Sequence, residues 1–138
     1  MKTTYSLGLG ILLLSGLLAA CNPLKPLRSQ DAWTGFNDTF KAYSKYLRWS
    51  HFRETTAFMT PKPQSDSLAM LARLKERRVS KVTPTSWVMN QTEDAVTGIV
   101  EIDYYVTDQN VVRQTTQKQS WVLKEGNWLL DSPLPNLR

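Results

Sequence analysis

The spacing of apolar residues changes once along this chain, near Val79, and that change limits the fold more than any other feature. Before it, Trp33, Phe36, Phe40, Tyr43 and Leu47 recur three and four residues apart, which stacks them on one face of a helix. After it, Val96, Gly98, Val100, Ile102, Tyr104 and Val106 recur every second residue, as on one face of a strand. Helices first and strands afterwards argue against alternating βα units. They predict an α+β domain, with N-terminal helices packed on one face of a curved antiparallel four-stranded meander.

The boundaries follow from local signals. The first helix is expected from about Gln30, capped by Ser29 or Asp31. A second, short one is expected over Arg48–Met59, ended by Thr60-Pro61-Lys62-Pro63. The third is expected over Ser65–Arg78, with Ser65 as cap and Leu68, Leu71, Leu74 and Met70 as its apolar stripe. Strands are expected over Val79–Asn90 (irregular at Pro84), Ala95–Thr107, Val111–Lys124 and Trp128–Asp131. The polar connections Gln91–Asp94, Asp108–Asn110 and Glu125–Asn127 suit hairpins.

Cys21 is the only cysteine, so no disulfide can form within the chain. The domain must hold together by burial, and five Trp, five Tyr and four Phe supply the area. Residues 30–138 read as one domain with one core. Without its first twenty residues the chain keeps twelve Asp plus Glu and sixteen Lys plus Arg (seventeen less Lys2). That mild positive charge suits weak attraction to anionic headgroups and falls far short of the basic density of a nucleic-acid binder.

Lys2 precedes a largely apolar run, Leu7–Leu18, long enough for a signal-peptide core but short of the roughly 20 residues that span a bilayer. It closes with Leu18-Ala19-Ala20-Cys21, which resembles the bacterial lipobox. That resemblance implies a signal peptide over residues 1–20 and a diacylglycerol on the Cys21 thiol, commonly with a further acyl chain on its amino group. It also implies a membrane as partner through that lipid. Asn22, where enterobacterial inner-membrane lipoproteins tend to carry aspartate, favours the outer membrane facing the periplasm, with the inner membrane as the alternative. Residues 21–29, with Pro23 and Pro26, read as a short extended tether.

The order of elements resembles the nuclear transport factor two-like fold, a cystatin-like α+β roll shaped as a cone. Local strings are similar to those of a group of uncharacterised proteobacterial lipoproteins: Leu47-Arg48-Trp49-Ser50-His51-Phe52, Ala57-Phe58-Met59-Thr60-Pro61, Ile102-Asp103-Tyr104-Tyr105, Gln119-Ser120-Trp121 and Trp128–Pro135. The resemblance implies a fold and little chemistry, because this fold hosts enzymes, dimerisation modules and secretion components alike. Its enzymes often place an aspartate base and a tyrosine donor inside the cone, which makes Asp103, Tyr104, Tyr105 and Tyr43 the candidates here.

Alternation sets Asp103 and Tyr105 opposite the row containing Tyr104, so Asp103 faces away from the interior unless a bulge shifts the register. His51, the only histidine, lies beside Trp49 and Phe52 and suits packing or a helix end. With no cysteine or second histidine near it, no metal site is expected, and no cofactor motif is present. The cations of Arg73–Lys81 read as a solvated helix end, with lipid phosphates as the second reading. Thr97, Ile99, Glu101, Asp103, Tyr105 and Thr107, beside Lys118, Ser120 and Val122, form an outer sheet face. It reads equally as a solvated surface or as a surface for a second copy or an envelope protein. A non-enzymatic binding module is the leading reading, and a small-molecule enzyme or carrier using the cone is the rival.

Overall fold

The computed structural model describes residues 29–138. The apolar leader, Cys21 and nearly all of the segment read as a tether lie outside the described residues. Helix α1 spans Ser29–Arg48 and is followed by a short α2, Phe52–Thr55, which runs into a 3₁₀ turn, Thr56–Phe58. Helix α3 spans Pro61–Leu74. Strands β1 (Arg77–Met89), β2 (Ala95–Val106), β3 (Arg113–Lys124) and β4 (Asn127–Leu130) then pair antiparallel in the order β1-β2-β3-β4. This is the α+β meander that the change of period implies. Among the described residues, no helix is long and apolar enough to cross a membrane.

Helix α1 buries the expected stripe, Phe36, Phe40, Tyr43 and Leu47, with Trp33 partly covered. Asp31 lies in its first turn, where a carboxylate complements the helix dipole. The helix stops at Ser50, which adopts a left-handed backbone (φ 59°). The His51 N–H donates to the Tyr46 carbonyl and the Ser50 N–H to the Leu47 carbonyl, a Schellman closure. Glycine is usual at that position. Here the Ser50 hydroxyl accepts the Val79 N–H at 2.9 Å, so the side chain that makes the turn costly also ties α1 to β1.

The second helical segment ends before Thr60, as expected, but Pro61 and Pro63 also open the third helix, which was expected only from Ser65. Thr60 is the extended residue before it, and Pro61 occupies the first turn, where a missing N–H removes no helical bond. Ser65 is therefore inside α3 rather than at its cap, and Asp66 pairs with Lys62 at 3.0 Å. Three of the four expected stripe residues, Met70, Leu71 and Leu74, pack on the core. Leu68, expected in the stripe, is 42% exposed, while Pro63, Ser67 and Leu74 are buried. The Ser67 hydroxyl fixes this orientation by accepting the Leu134 N–H at 2.9 Å.

Helix α3 ends at Leu74, so Arg77 and Arg78, expected in its last turn, open β1 instead. Strand β3 starts at Arg113, and Val111 and Val112 stand exposed in the preceding connection. Register shifts between Val79 and Lys81 and between Pro84 and Ser86 bend β1, and Pro84 is tolerated because β1 is an edge strand. The other edge, β4, is covered where Met59 bridges Leu130 and the Thr60 N–H donates to the Leu130 carbonyl. Between β3 and β4, Glu125 and Gly126 both take positive φ (50° and 80°), the two-residue hairpin geometry that Gly126 favours.

Candidate functional site

The apolar row of β2 faces α1 as alternation requires: Val96, Val100, Ile102 and Tyr104 are buried, and Gly98 with them. The space between α1 and the sheet is filled by aromatic rings. Phe36 contacts Trp33, Trp87, Trp121 and Trp128 edge-on at centroid separations of 5.1–5.8 Å. Phe40 meets Trp87 and Trp121 at 5.0 and 6.2 Å. Edge-to-face contacts of this kind add about 0.5–1.5 kcal/mol each beyond the area they bury.

Gly98 makes this packing possible, because Trp87 lies directly over it. A Cβ there would stand 2.0 Å from the Trp87 ring and 2.1 Å from the Ser86 carbonyl oxygen.

The sequence candidates do not converge. Tyr43 is fully buried in the aromatic cluster, 5.3 Å from Trp121, and burial pushes its hydroxyl well above the ordinary tyrosine range. That hydroxyl accepts from Gln119 Nε2 at 3.3 Å. Gln119 in turn accepts from Trp121 Nε1 at 3.2 Å and donates to Gln117 Oε1 at 3.0 Å. A phenol held neutral among satisfied partners suits structure rather than proton transfer.

Tyr104 is buried at one end of the same face, and its hydroxyl donates to the Arg138 carbonyl oxygen at 2.7 Å. Asp103 and Tyr105 lie on the outer face, as alternation implies, and the bulges of β1 do not bring them inward. Gln114 donates to the Asp103 carboxylate at 2.9 Å. His51 is exposed at the turn after α1, 6.3 Å from Tyr46. Among the described residues, no three His, Cys, Asp or Glu side chains gather as metal ligands would.

Gln119 is a buried polar residue, beside Tyr43, that the sequence reading missed. Its parity with Trp121 on β3 places both on the inner face, and that signal was present in the string Gln119-Ser120-Trp121.

Two clefts flank α1 at the edge of the core. One of about 650 Å³ runs between the second half of α1 and β1, bounded by Phe40, Lys41, Lys45, Arg48, Trp49 and Val82. Another, of about 850 Å³, separates the first half of α1 from the β1–β2 and β3–β4 turns and is bordered by Asp31, Glu93, Asp94 and Trp128. Hydrogen bonds from Asn90 and then Thr92 hold the Asp94 carboxyl below its ordinary range, and these bonds belong to the turn itself.

A SEC-C motif containing protein from Rhodopseudomonas palustris superposes on this chain with a TM-score of 0.51 at 9% identity. The match covers 72% of this chain and 76% of that one. The two share a fold. A putative polyketide cyclase from Xanthomonas campestris pv. campestris superposes with a TM-score of 0.49 at 11% identity, over 78% of this chain and 93% of that one. A putative NTF2-like transpeptidase from Campylobacter jejuni does so at 0.43 and 13%, over 68% and 94%. No protein-family model matches the sequence, and no curated protein matches it. Helices followed by a four-stranded antiparallel sheet, closed as a cone, is the fold class that the sequence resemblance implied.

Proposed function

We propose that this chain is a non-enzymatic interaction module of the bacterial envelope, held at a membrane by lipid on Cys21. One observation carries the non-enzymatic part. The interior that would serve an enzyme or carrier of this fold is occupied by Phe36, Phe40, Tyr43, Trp87 and Trp121, and its polar groups satisfy one another. A ligand site needs a hollow of several hundred Å³ with a few converging polar groups, and the candidates Tyr43, His51, Asp103 and Tyr104 point to different parts of the surface and core.

Interaction then falls to the surfaces. On the outer sheet face, Ser86, Ile99 and Lys118 stand in one row across the strands, and Lys81, Asp103 and Gln114 in another. Ile99 and Tyr105 are exposed there among polar neighbours, a composition suited to a second copy or an envelope protein. The lipobox-like Leu18-Ala19-Ala20-Cys21 supports the anchor, and Asn22 supports the outer membrane, facing the periplasm.

Replacing Cys21 with serine is expected to move the protein from the membrane fraction to the soluble fraction; unchanged association refutes the anchor. Crosslinking in intact membranes through residue 99 or 105 is expected to trap a second protein or copy. Recovery of monomer alone refutes the interaction surface.

A further inference from the structure

Lys41, Lys45 and Arg48 follow one another on α1 at spacings of four and three, which stacks them in one exposed stripe. From Lys41 to Arg53 the chain has four Lys or Arg and no acid; Asp38 and Glu54 bound the stretch. Among the described residues, the one ion pair is Lys62–Asp66, so none of the stripe's cations is engaged in one. Beside them stand two large aromatics left in solvent, Trp49 at 66% exposure and Tyr46 at 40%. The cleft of about 650 Å³ along this stripe has an apolar side formed by Phe40, Ala42 and Val82, with Asp38 as its one acidic neighbour at the end away from Trp49.

A tryptophan and a tyrosine among unpaired cations combine the two groups that bind best at a headgroup layer. The indole and phenol rings are amphipathic and settle at the apolar–polar boundary. Lys and Arg lay their methylene stems along apolar surface and extend their charge to phosphate.

We propose that this face of α1 docks on an anionic phospholipid surface, with Trp49 at headgroup depth and Lys41, Lys45 and Arg48 against lipid phosphates. An acidic protein would also match the charge. The geometry favours the membrane, and this step rests on the anchor proposed above. Seven residues lie between Cys21 and the first residue of α1, eight steps of the chain, a reach of at most about 28 Å when fully extended. Helix α1 has 20 residues and is about 30 Å long. Standing on its C-terminal end, the helix would lift its start to about the limit of that reach and require a fully stretched tether. Lying along the bilayer, it lets the anchor and the stripe engage together.

The test uses the full lipid-carrying protein and its Trp49→Phe variant, mixed with vesicles whose acyl chains are brominated. One set of vesicles is phosphatidylcholine alone, and the other includes phosphatidylglycerol. The difference between the two proteins' emission isolates Trp49. It is expected to be quenched at least twofold in the anionic vesicles and little in the neutral ones. Lys41→Glu, Lys45→Glu and Arg48→Glu together should abolish the quenching, as should raised salt. These residues are exposed, and near-ultraviolet circular dichroism checks that each variant keeps its fold.

Protein that floats with both vesicle types while Trp49 stays unquenched overturns the docking face and leaves the anchor standing. Protein that floats only with anionic vesicles supports the face and overturns the anchor. Protein that floats with neither overturns both. A crosslink from position 49 to an acidic protein, without quenching, assigns the face to that partner and overturns the proposal.

Discussion

Gly98→Ala adds one methyl group to the inner face of β2 and tests whether the aromatic interior is as full as its geometry states. The new Cβ would lie 2.0 Å from Trp87 Cε3, 2.6 Å from Cζ3 and 2.1 Å from the Ser86 carbonyl oxygen. Carbon atoms rest about 3.5–4.0 Å apart, so the obstacle must retreat by roughly 1.5 Å. The indole is partly exposed and could slide outward, at the expense of its contacts with Phe36 and Phe40. The carbonyl cannot move so cheaply, because Ser86 pairs with Ile99 in the β1–β2 ladder. Overpacking of this kind costs about 1–3 kcal/mol, and a backbone obstacle argues for the upper half of that range. The lower entropy of the unfolded alanine chain offsets about 0.4–1 kcal/mol, leaving a net loss of about 2 kcal/mol. With an unfolding entropy of about 2.1 cal/mol/K per residue over this domain, Tm should fall by roughly 8 °C. Thermal unfolding followed by tryptophan emission reads this directly. In a Trp87→Ala background the added cost should shrink, since one of the two obstacles is gone. An unchanged or raised Tm for Gly98→Ala refutes the packing argument.

Two further outcomes follow from single side chains. Because burial raises the Tyr43 hydroxyl above its ordinary value, its contribution to stability is complete below pH about 10 and is lost as pH rises from there toward the folded-state value. Urea titrations at rising alkaline pH should therefore show a steeper loss in the wild-type chain than in Tyr43→Phe, which itself costs about 0.5–1.5 kcal/mol at neutral pH through the lost Gln119 bond. Ser50→Ala should cost about 1–3 kcal/mol in a denaturant titration by orphaning the Val79 N–H, and Ser50→Gly should cost less because glycine relieves the left-handed backbone.

How much of this fold the sequence shows depends on how far apart the interacting residues lie. The α1 stripe and the β2 alternation were legible because each repeats a single period over three or more turns or pairs, and one burial rule explains all but their end members, Trp33 and Val106, which are partly buried. The start of α3 was not. Pro61 and Pro63 read equally as the end of one helix or the first turn of the next, and the choice is made by Thr60, held against β4 through Leu130 and Asp131. That contact spans about half of the chain, and no local window contains it. Leu68 follows from the same cause: the orientation of α3 is set by Ser67 binding Leu134, so a serine is buried where a leucine was expected.

The candidate sites show the same division from the other side. Alternation correctly placed Asp103 and Tyr105 outside and Tyr104 inside, which already separated the groups that an acid–base pair would need to bring together. What alternation could not show is that Trp87 crosses over Gly98 and that Gln119 meets Tyr43, because both are contacts between elements rather than patterns within one. Those two contacts close the cone. The cationic stripe of α1 and exposed Trp49 were equally present in the sequence, yet helical periodicity alone gives a solvated face no purpose. The structure adds that the helix ends in a serine-bound turn, which leaves Trp49 in solvent beside Arg48. Loss of Trp49 or of its neighbouring cations should alter vesicle binding and leave the fold intact, because all four side chains are exposed.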